Sequence, residues 1–202
     1  MKDLGIKLFS EAHVDPDLNK SILKDRPSNW RGLFGQSGGA QATLHNENVR
    51  EGDIFLFFGC FQEATKLNGK WKYVNNSPEI HSIFGYLEVD KVYDISAGDS
   101  VPEWAEYHPH IKNKEDYGQQ RNSVYMATNT FSKDPSKPGW GTFEYNTKLT
   151  LTKSGAKLKS IWELPPCFKN EAGNFKQANK DWKINELGNV EFQQIGRGSQ
   201  EV

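Results

Sequence analysis

The most continuous apolar run in the chain is "IFLFF", Ile54 to Phe58, entered through "REGD" and left through "GCF". A run of β-favouring residues behind a Gly-Asp turn predicts a strand over Asp53 to Phe58 that is covered on both faces and therefore central in a sheet. The segment "IHSIFGYLEVDKVYDI" alternates well enough to predict one long strand over Ile80 to Val92, or two with a kink at Gly85, paired with the first. Between them, "LNGKWKYV" combines an Asn-Gly turn with aromatics behind it, a hairpin signal. "SVYMATNTF" and "GTFEYNTKLTLT" predict further strands. Helical periodicity is scarce. "GGAQATLH", 38 to 45, reads as a glycine-rich turn leading into about two helical turns. "VPEWAEY" has Pro102 early and Trp104 as its apolar anchor. The opening "MKDLGIKLFSEAHVDPDL" predicts a short helix stopped by "DPD". "SKDPSKPG", 132 to 139, is the clearest loop, and the polar tail after Pro165 has Trp182 and Phe192 as its anchors. Together these elements predict an α+β fold, mainly β, in which a mixed barrel-like sheet carries a few short helices at its ends.

Composition narrows the picture without changing it. With 202 residues, 36% of them apolar, the chain has the length and apolar content for one compact domain spanning 1–202. Lys and Arg total 25 against 26 Asp and Glu, so no global basic field attracts a phosphate backbone, and non-specific duplex binding is disfavoured although nucleic acid remains a possible partner. No apolar run approaches the roughly 20 residues of a membrane helix, so no membrane partner is expected. Cys60 and Cys167 are far apart with no CxxC partner, and no basic-then-apolar leader opens the sequence, a pattern that predicts a reduced, cytoplasmic protein. Cys60, at the end of an apolar strand, reads as buried and inert.

Candidate chemistry is concentrated in the first 110 residues, where all five histidines fall: His13, His45, His81, His108 and His110. His13 with Asp15 and Asp17, or His108 with His110, supplies imidazoles and carboxylates of the kind that bind metals, but there is no HExxH and no Cys-His cluster. The bland reading is that "HVDPD" and "HPH" are turns whose histidines bond nearby backbone. Ligand contact is preferred here to metal, and neither metal nor cofactor is expected. "FGQSGGAQ" fits neither GxxxxGK[ST] nor GxGxxG. Amides freed by Gly38 and Gly39 at a helix start have the geometry to cradle an anionic oxygen, with a plain tight turn as the alternative. Arg26, Arg31 and Arg121 are the cations best suited to grip a phosphate, and Gln36, Gln41 and His45 carry polar edges for a base or ribose. Trp30, Phe34, Phe58, Trp104 and Trp140 offer faces for stacking, although most large aromatics in a chain of this size are core.

These stretches carry a resemblance. "AHVDPDL", "DRPSNWRGLFGQSGGAQATLHNENVREGDIFLFFGCF", "HSIFGYLEV", "HPH", "NSVYMA", "GTFEYNTKLTLTKSGAKLKSIWELPPCF" and "GRGSQEV" follow, in order, the pattern of the third family of nucleotide-modification-associated domains, found in phages and bacteria. The likeness covers nearly the whole chain; it departs at the front, where family members usually carry a further segment with an "SRKGFDS"-like stretch. "REGDIFLFFG" followed by "HSIFGYLEVDKVYDI" is also similar, more distantly, to the strand arrangement of PUA-like domains of the ASCH and EVE groups, which hold RNA or modified bases on a small barrel. The resemblance implies a nucleotide-type small molecule as partner, with a homo-oligomer possible. Two classes of function follow from it: a binder that recognises or sequesters a modified nucleotide or an immune signal, and an enzyme acting on a nucleotide or DNA base through His13, Asp15, Asp17, His45, His108 or His110.

Overall fold

The structure is a computed structural model that describes residues 2–5, 14–174 and 182–194. Its strands are β1 (Leu33–Ser37), β2 (Ile54–Phe61), β3 (Ala64–Leu67), β4 (Lys70–Tyr73), β5 (Ile80–Asp94), β6 (Asn122–Ala127), β7 (Trp140–Thr142), β8 (Ile161–Leu164), β9 (Lys183–Ile184) and β10 (Val190–Gln193). Its α-helices are α1 (Gly38–Asn46) and the one-turn α2 (Pro109–Lys112). Among the described residues strands outweigh helices, the mainly β, α+β class that the alternating segments predict. The residues gather into two compact units that interleave in sequence. One takes Ala12–Phe57 and Gly85–Glu144; the other takes Met1–Glu11, Phe58–Phe84 and Tyr145–Val202.

In the unit built from Ala12–Phe57 and Gly85–Glu144, the strand order runs β1-β6-β5-β2, with β7 pairing β5 off this path. β6 is its best covered strand: all six residues of "NSVYMA" are buried, between antiparallel partners β1 and β5. The register with β5 shifts between Val89 and Lys91, a bulge that leaves Asp90 turned outward. Leu33, Tyr93, Ile95, Ala105, Val124 and Met126 form the core, and Trp104, Tyr107 and Ile111 pack against it. Each such large aliphatic or aromatic side chain contributes about 1.5–3 kcal/mol by leaving water.

β2 pairs beside β5 as the apolar run predicts, but it ends the strand order and is not central. Ile54 and Leu56 are 37% and 52% exposed, while Phe55 and Phe57 turn inward onto Phe34. The run therefore covers one face only. An unbroken apolar string records that a strand is sticky on both sides, and it does not record how many neighbours the topology supplies. "GTFEYNTKLTLT" departs similarly: only Trp140–Thr142 is strand, and Thr147–Leu149 is a 3-10 turn capped by Asn146, whose Oδ1 accepts from the Lys148 amide. "VPEWAEY" shortens to a 3-10 turn at Glu103–Ala105.

In the unit that includes Tyr145–Val202, β8, β10 and β9 make a small antiparallel sheet over Leu151, Trp162, Leu164, Val190 and Phe192. Phe192 anchors the tail as expected, whereas Trp182 is 42% exposed. Glu191, also buried, is gripped by Lys153 at 2.8 Å and by the Asn185 amide at 2.9 Å. Those bonds, with Lys183, hold its carboxyl down to about 2. β3 and β4 form the hairpin that "LNGK" predicts; Asn68 and Gly69 have φ of 50° and 79°, the pair of positive angles a type I′ turn requires. Cys60 is exposed rather than buried, with the Lys159 ammonium 3.2 Å from its sulfur.

Candidate functional site

Segment 15–17 lies antiparallel to β1, with Asp17 and Leu33 exchanging backbone hydrogen bonds at 2.8 and 3.0 Å. That register sets Asp15 opposite Gly35, whose amide donates to Asp15 Oδ1 at 2.8 Å. The "HPH" segment arrives from the other side. Pro109, fixed in φ, opens α2 at its first position, and His108 and His110 flank it. His110 Nε2 stands 3.3 Å from Asp15 Oδ2, and His108 Nε2 stands 3.7 Å from Asp15 Oδ1.

The glycine at 35 is what permits this approach. A Cβ added there would stand 2.5 Å from His110 Cγ and 2.9 Å from His108 Cε1, inside any real carbon contact. Asn122, at the start of β6, fixes the second imidazole. Its Nδ2 donates to the His110 carbonyl at 2.8 Å, so its Oδ1 is the acceptor facing His110 Nδ1 at 2.6 Å, and the proton on that ring sits on Nδ1. Nε2 is then left facing a carboxylate. A neutral ring presents a lone pair to it and a protonated ring a charge-assisted bond, so one proton decides whether the contact repels or holds. Tyr117 stacks on His110, centroids 4.5 Å apart and planes 14° from parallel. His108 is wholly buried, and neither of its ring nitrogens has a hydrogen-bond partner among the described residues. Burial pushes the Asp15 carboxyl up, but the two imidazoles and the Gly35 amide outweigh it and leave the group below its ordinary value.

Two residues away the chemistry is different. Asp17, fully buried, takes a two-pronged contact from Arg26 at 3.0 and 2.6 Å and a third bond from the Tyr107 hydroxyl at 2.6 Å. Trp30 Nε1 donates to that hydroxyl at 2.8 Å, and the Arg26 guanidinium lies 4.1 Å over the Trp30 ring. Burial, then the Asp17 carboxylate, push the Tyr107 hydroxyl well up, so it stays a donor.

The remaining sequence candidates are dispersed. Arg31 pairs with Asp90 at 2.5 Å and also meets the Met126 sulfur. Gln36 is half-buried in β1, its Oε1 bonded to the Ser37 amide. Gly38, with φ of 59°, opens α1, and a Cβ there would stand 2.6 Å from Gln120 Oε1; Gly39 faces open space. Gln41 points inward, its Oε1 accepting from the Tyr125 hydroxyl at 3.0 Å, and His45 is exposed in the last turn of α1. His13 lies outside the described residues. Among the described residues no three His, Cys, Asp or Glu are grouped to hold a metal, and no helix is long and apolar enough to cross a membrane. Tyr117 and Asn122 have no signal in the linear pattern, being single polar positions seven and twelve residues beyond His110. Two hollows, of about 390 and 480 Å³, are lined by Lys153, Lys183 and Glu191 and by Ile95, Glu106 and Lys112 respectively. The carboxylate in the first is already saturated with partners, so the chemistry points to Asp15 and the histidines instead.

The family model for nucleotide modification associated domain 3 matches residues 2–202. The chain belongs to that family. Membership in the nucleotide modification associated domain 3 family ties it to nucleotide modification, over essentially the whole sequence. No curated protein and no solved structure matches it.

Proposed function

We propose that this nucleotide modification associated domain acts on a nucleotide or nucleobase, with Asp15 and His110 exchanging a proton with the ligand and His108 as the interior member of the cluster. The observation that carries the reading is the fully buried His108, its Nε2 3.7 Å from Asp15 Oδ1, with neither ring nitrogen hydrogen-bonded among the described residues. Structural histidines are hydrogen-bonded; leaving one bare costs stability, and such costs concentrate where chemistry needs a group kept free. Asp15 and His110 retain 8% and 6% side-chain exposure, so they are the members a ligand meets first. Asp15, held ionised, accepts a proton from the ligand and passes it to His110 Nε2, where the imidazolium it forms is held by the same carboxylate. Asn122 is a positioning residue, because it keeps Nε2 as the basic atom. A binding role without turnover draws support from Tyr117, whose half-buried ring stacked on His110 presents an aromatic edge to a base.

The test is incubation of the full chain with nucleoside mono-, di- and triphosphates, nucleobases and single-stranded DNA, followed by chromatography and mass spectrometry. A converted product formed by the wild type and reduced about 10²–10⁴-fold in Asp15→Asn and His110→Gln supports the proposal. Bound ligand recovered intact from both wild type and variants transfers the cluster to recognition. Conversion that persists in Asp15→Asn overturns the assignment.

A further inference from the structure

We propose that the β3–β4 hairpin is a docking surface for a single-stranded polynucleotide. The strand "KWKY", Lys70 to Tyr73, is exposed at every residue, and Leu67, Trp71 and Tyr73 keep 54%, 43% and 43% of their surface in water. Large aromatics left out on a two-stranded ribbon are unusual, because such a ribbon gains little stability except by burying them. Alternation along β4 and the register with β3 define two faces. Trp71 and Tyr73 share one, with Lys66 directly across from Trp71; Lys70 and Lys72 occupy the other. The two rings lie about 7 Å apart along the strand, which gives each room for one base. Residues 63 to 73 carry Lys66, Lys70 and Lys72 against Glu63 alone, a local excess of positive charge in a chain whose net charge is -1.

The two rings offer π-surfaces for bases with Lys66 on their own face, and Lys70 and Lys72, alternating with them along the strand on the opposite face, flank the ribbon with point charges for the phosphates of a flexible, sequence-tolerant strand. A duplex hides its base faces and meets only the lysines. Stiffness comes from the Asn68-Gly69 turn, which fixes the ribbon without help from either ring. Asp3 accepts from the Trp71 amide at 3.3 Å, a bond to backbone that leaves the indole outward. The inference goes beyond the proton-transfer reading and does not depend on it: it assigns a strand-binding surface in the other unit, with no residue in common.

The experiment is fluorescence anisotropy of a labelled deoxythymidine oligonucleotide, single-stranded and annealed to its complement, titrated with the full chain at several salt concentrations. Single strand should bind more tightly than duplex, with a slope of log K against log salt of about −2 for three phosphate contacts. Trp71→Ala and Tyr73→Ala should each weaken binding about tenfold with the salt slope unchanged, and Lys70→Glu with Lys72→Glu should flatten the slope while circular dichroism stays that of the wild type. The lysine pair keeps the hairpin's own bonds intact, so it decides the matter even if an aromatic variant fails to fold. Equal affinity for duplex and single strand, binding indifferent to all four substitutions, or attachment to anionic lipid vesicles with no oligonucleotide affinity would each overturn the proposal. Turnover at the Asp15 cluster on free nucleotides is measured separately, so loss of one result leaves the other standing.

Discussion

Asp15 and Asp17 are two residues apart in one motif, both face away from water, and their surroundings could hardly differ more. Asp17 has its charge matched by Arg26, its lone pairs filled by a guanidinium fork and a phenol, and its partners locked by Trp30. Asp15 has one secure bond, from Gly35, and two imidazoles at 3.3 and 3.7 Å, of which His110, its neutral-ring proton held on Nδ1 by Asn122, becomes a charge-assisted donor to the carboxylate only when a proton arrives. The contrast separates a carboxylate that holds the fold from one that the fold holds in readiness. Full pairing makes a charge inert; partial pairing keeps it answerable to its ligand.

The largest expected effect breaks the first of the pair. Arg26→Ala strands a buried Asp17 and should lower unfolding free energy by about 3–5 kcal/mol in urea titration; a loss below about 1 kcal/mol would show that the Asp17 network is not structural. Gly35→Ala comes next. Its Cβ forces both imidazoles from their places, and the strain should cost about 1–3 kcal/mol while shifting the His108 and His110 ring resonances in NMR spectra. Unmoved resonances would mean that the rings do not pack on β1 in solution.

Acid titration sharpens the comparison further. The Asp15 carboxyl is depressed in the folded state, so its contribution is present above its unfolded value near 3.8 and disappears as pH falls through the lower folded value. Stability curves of wild type and Asp15→Asn should therefore converge below pH 3.8; parallel curves down to pH 2 count against the depressed carboxyl. The Glu191 contribution, complete above about 4.5, should survive until pH approaches about 2. The smallest effect is the most discriminating. His108→Phe replaces a ring that makes no hydrogen bond among the described residues with an apolar one of related shape, and it should change stability by less than about 1 kcal/mol, in either direction, while removing activity. A large loss of stability on thermal or urea melting would place His108 with Asp17, among the residues that build the fold.

Much of the scaffold was legible in the sequence because it rests on local chemistry. Asn68-Gly69 could only be a tight turn, "GGAQATLH" had its glycines where a helix begins, and "NSVYMA" formed a buried strand. The rank of β2 in its sheet was not legible, since neighbours are assigned by residues far away in sequence. The candidate site divides the same way. His108, His110 and Asp15 were visible as residue types, yet nothing in the order of residues says that Gly35 brings them together or that Asn122 orients His110. Arg26 and Gln41 were candidates by residue type alone; their hydrogen bonds to Asp17 and Tyr125 are long-range facts that only folding reveals.

The interleaving of the two units bears on how the protein is made. Asp15, Gly35, His108, His110 and Asn122 come from both ends of one unit, and the 27 residues Phe58–Phe84 that separate its two segments belong to the other. During synthesis the amino-terminal part of the cluster leaves the ribosome well before Asn122 exists, so the histidine cannot be oriented until more than half the chain has emerged. A single cut after Glu144 keeps the unit of the cluster whole, but no single cut does so for the other, whose segments run from Met1 to Val202. A ribosome stalled before position 122 would therefore display a chain with its carboxylates translated and its proton-transfer centre still unassembled.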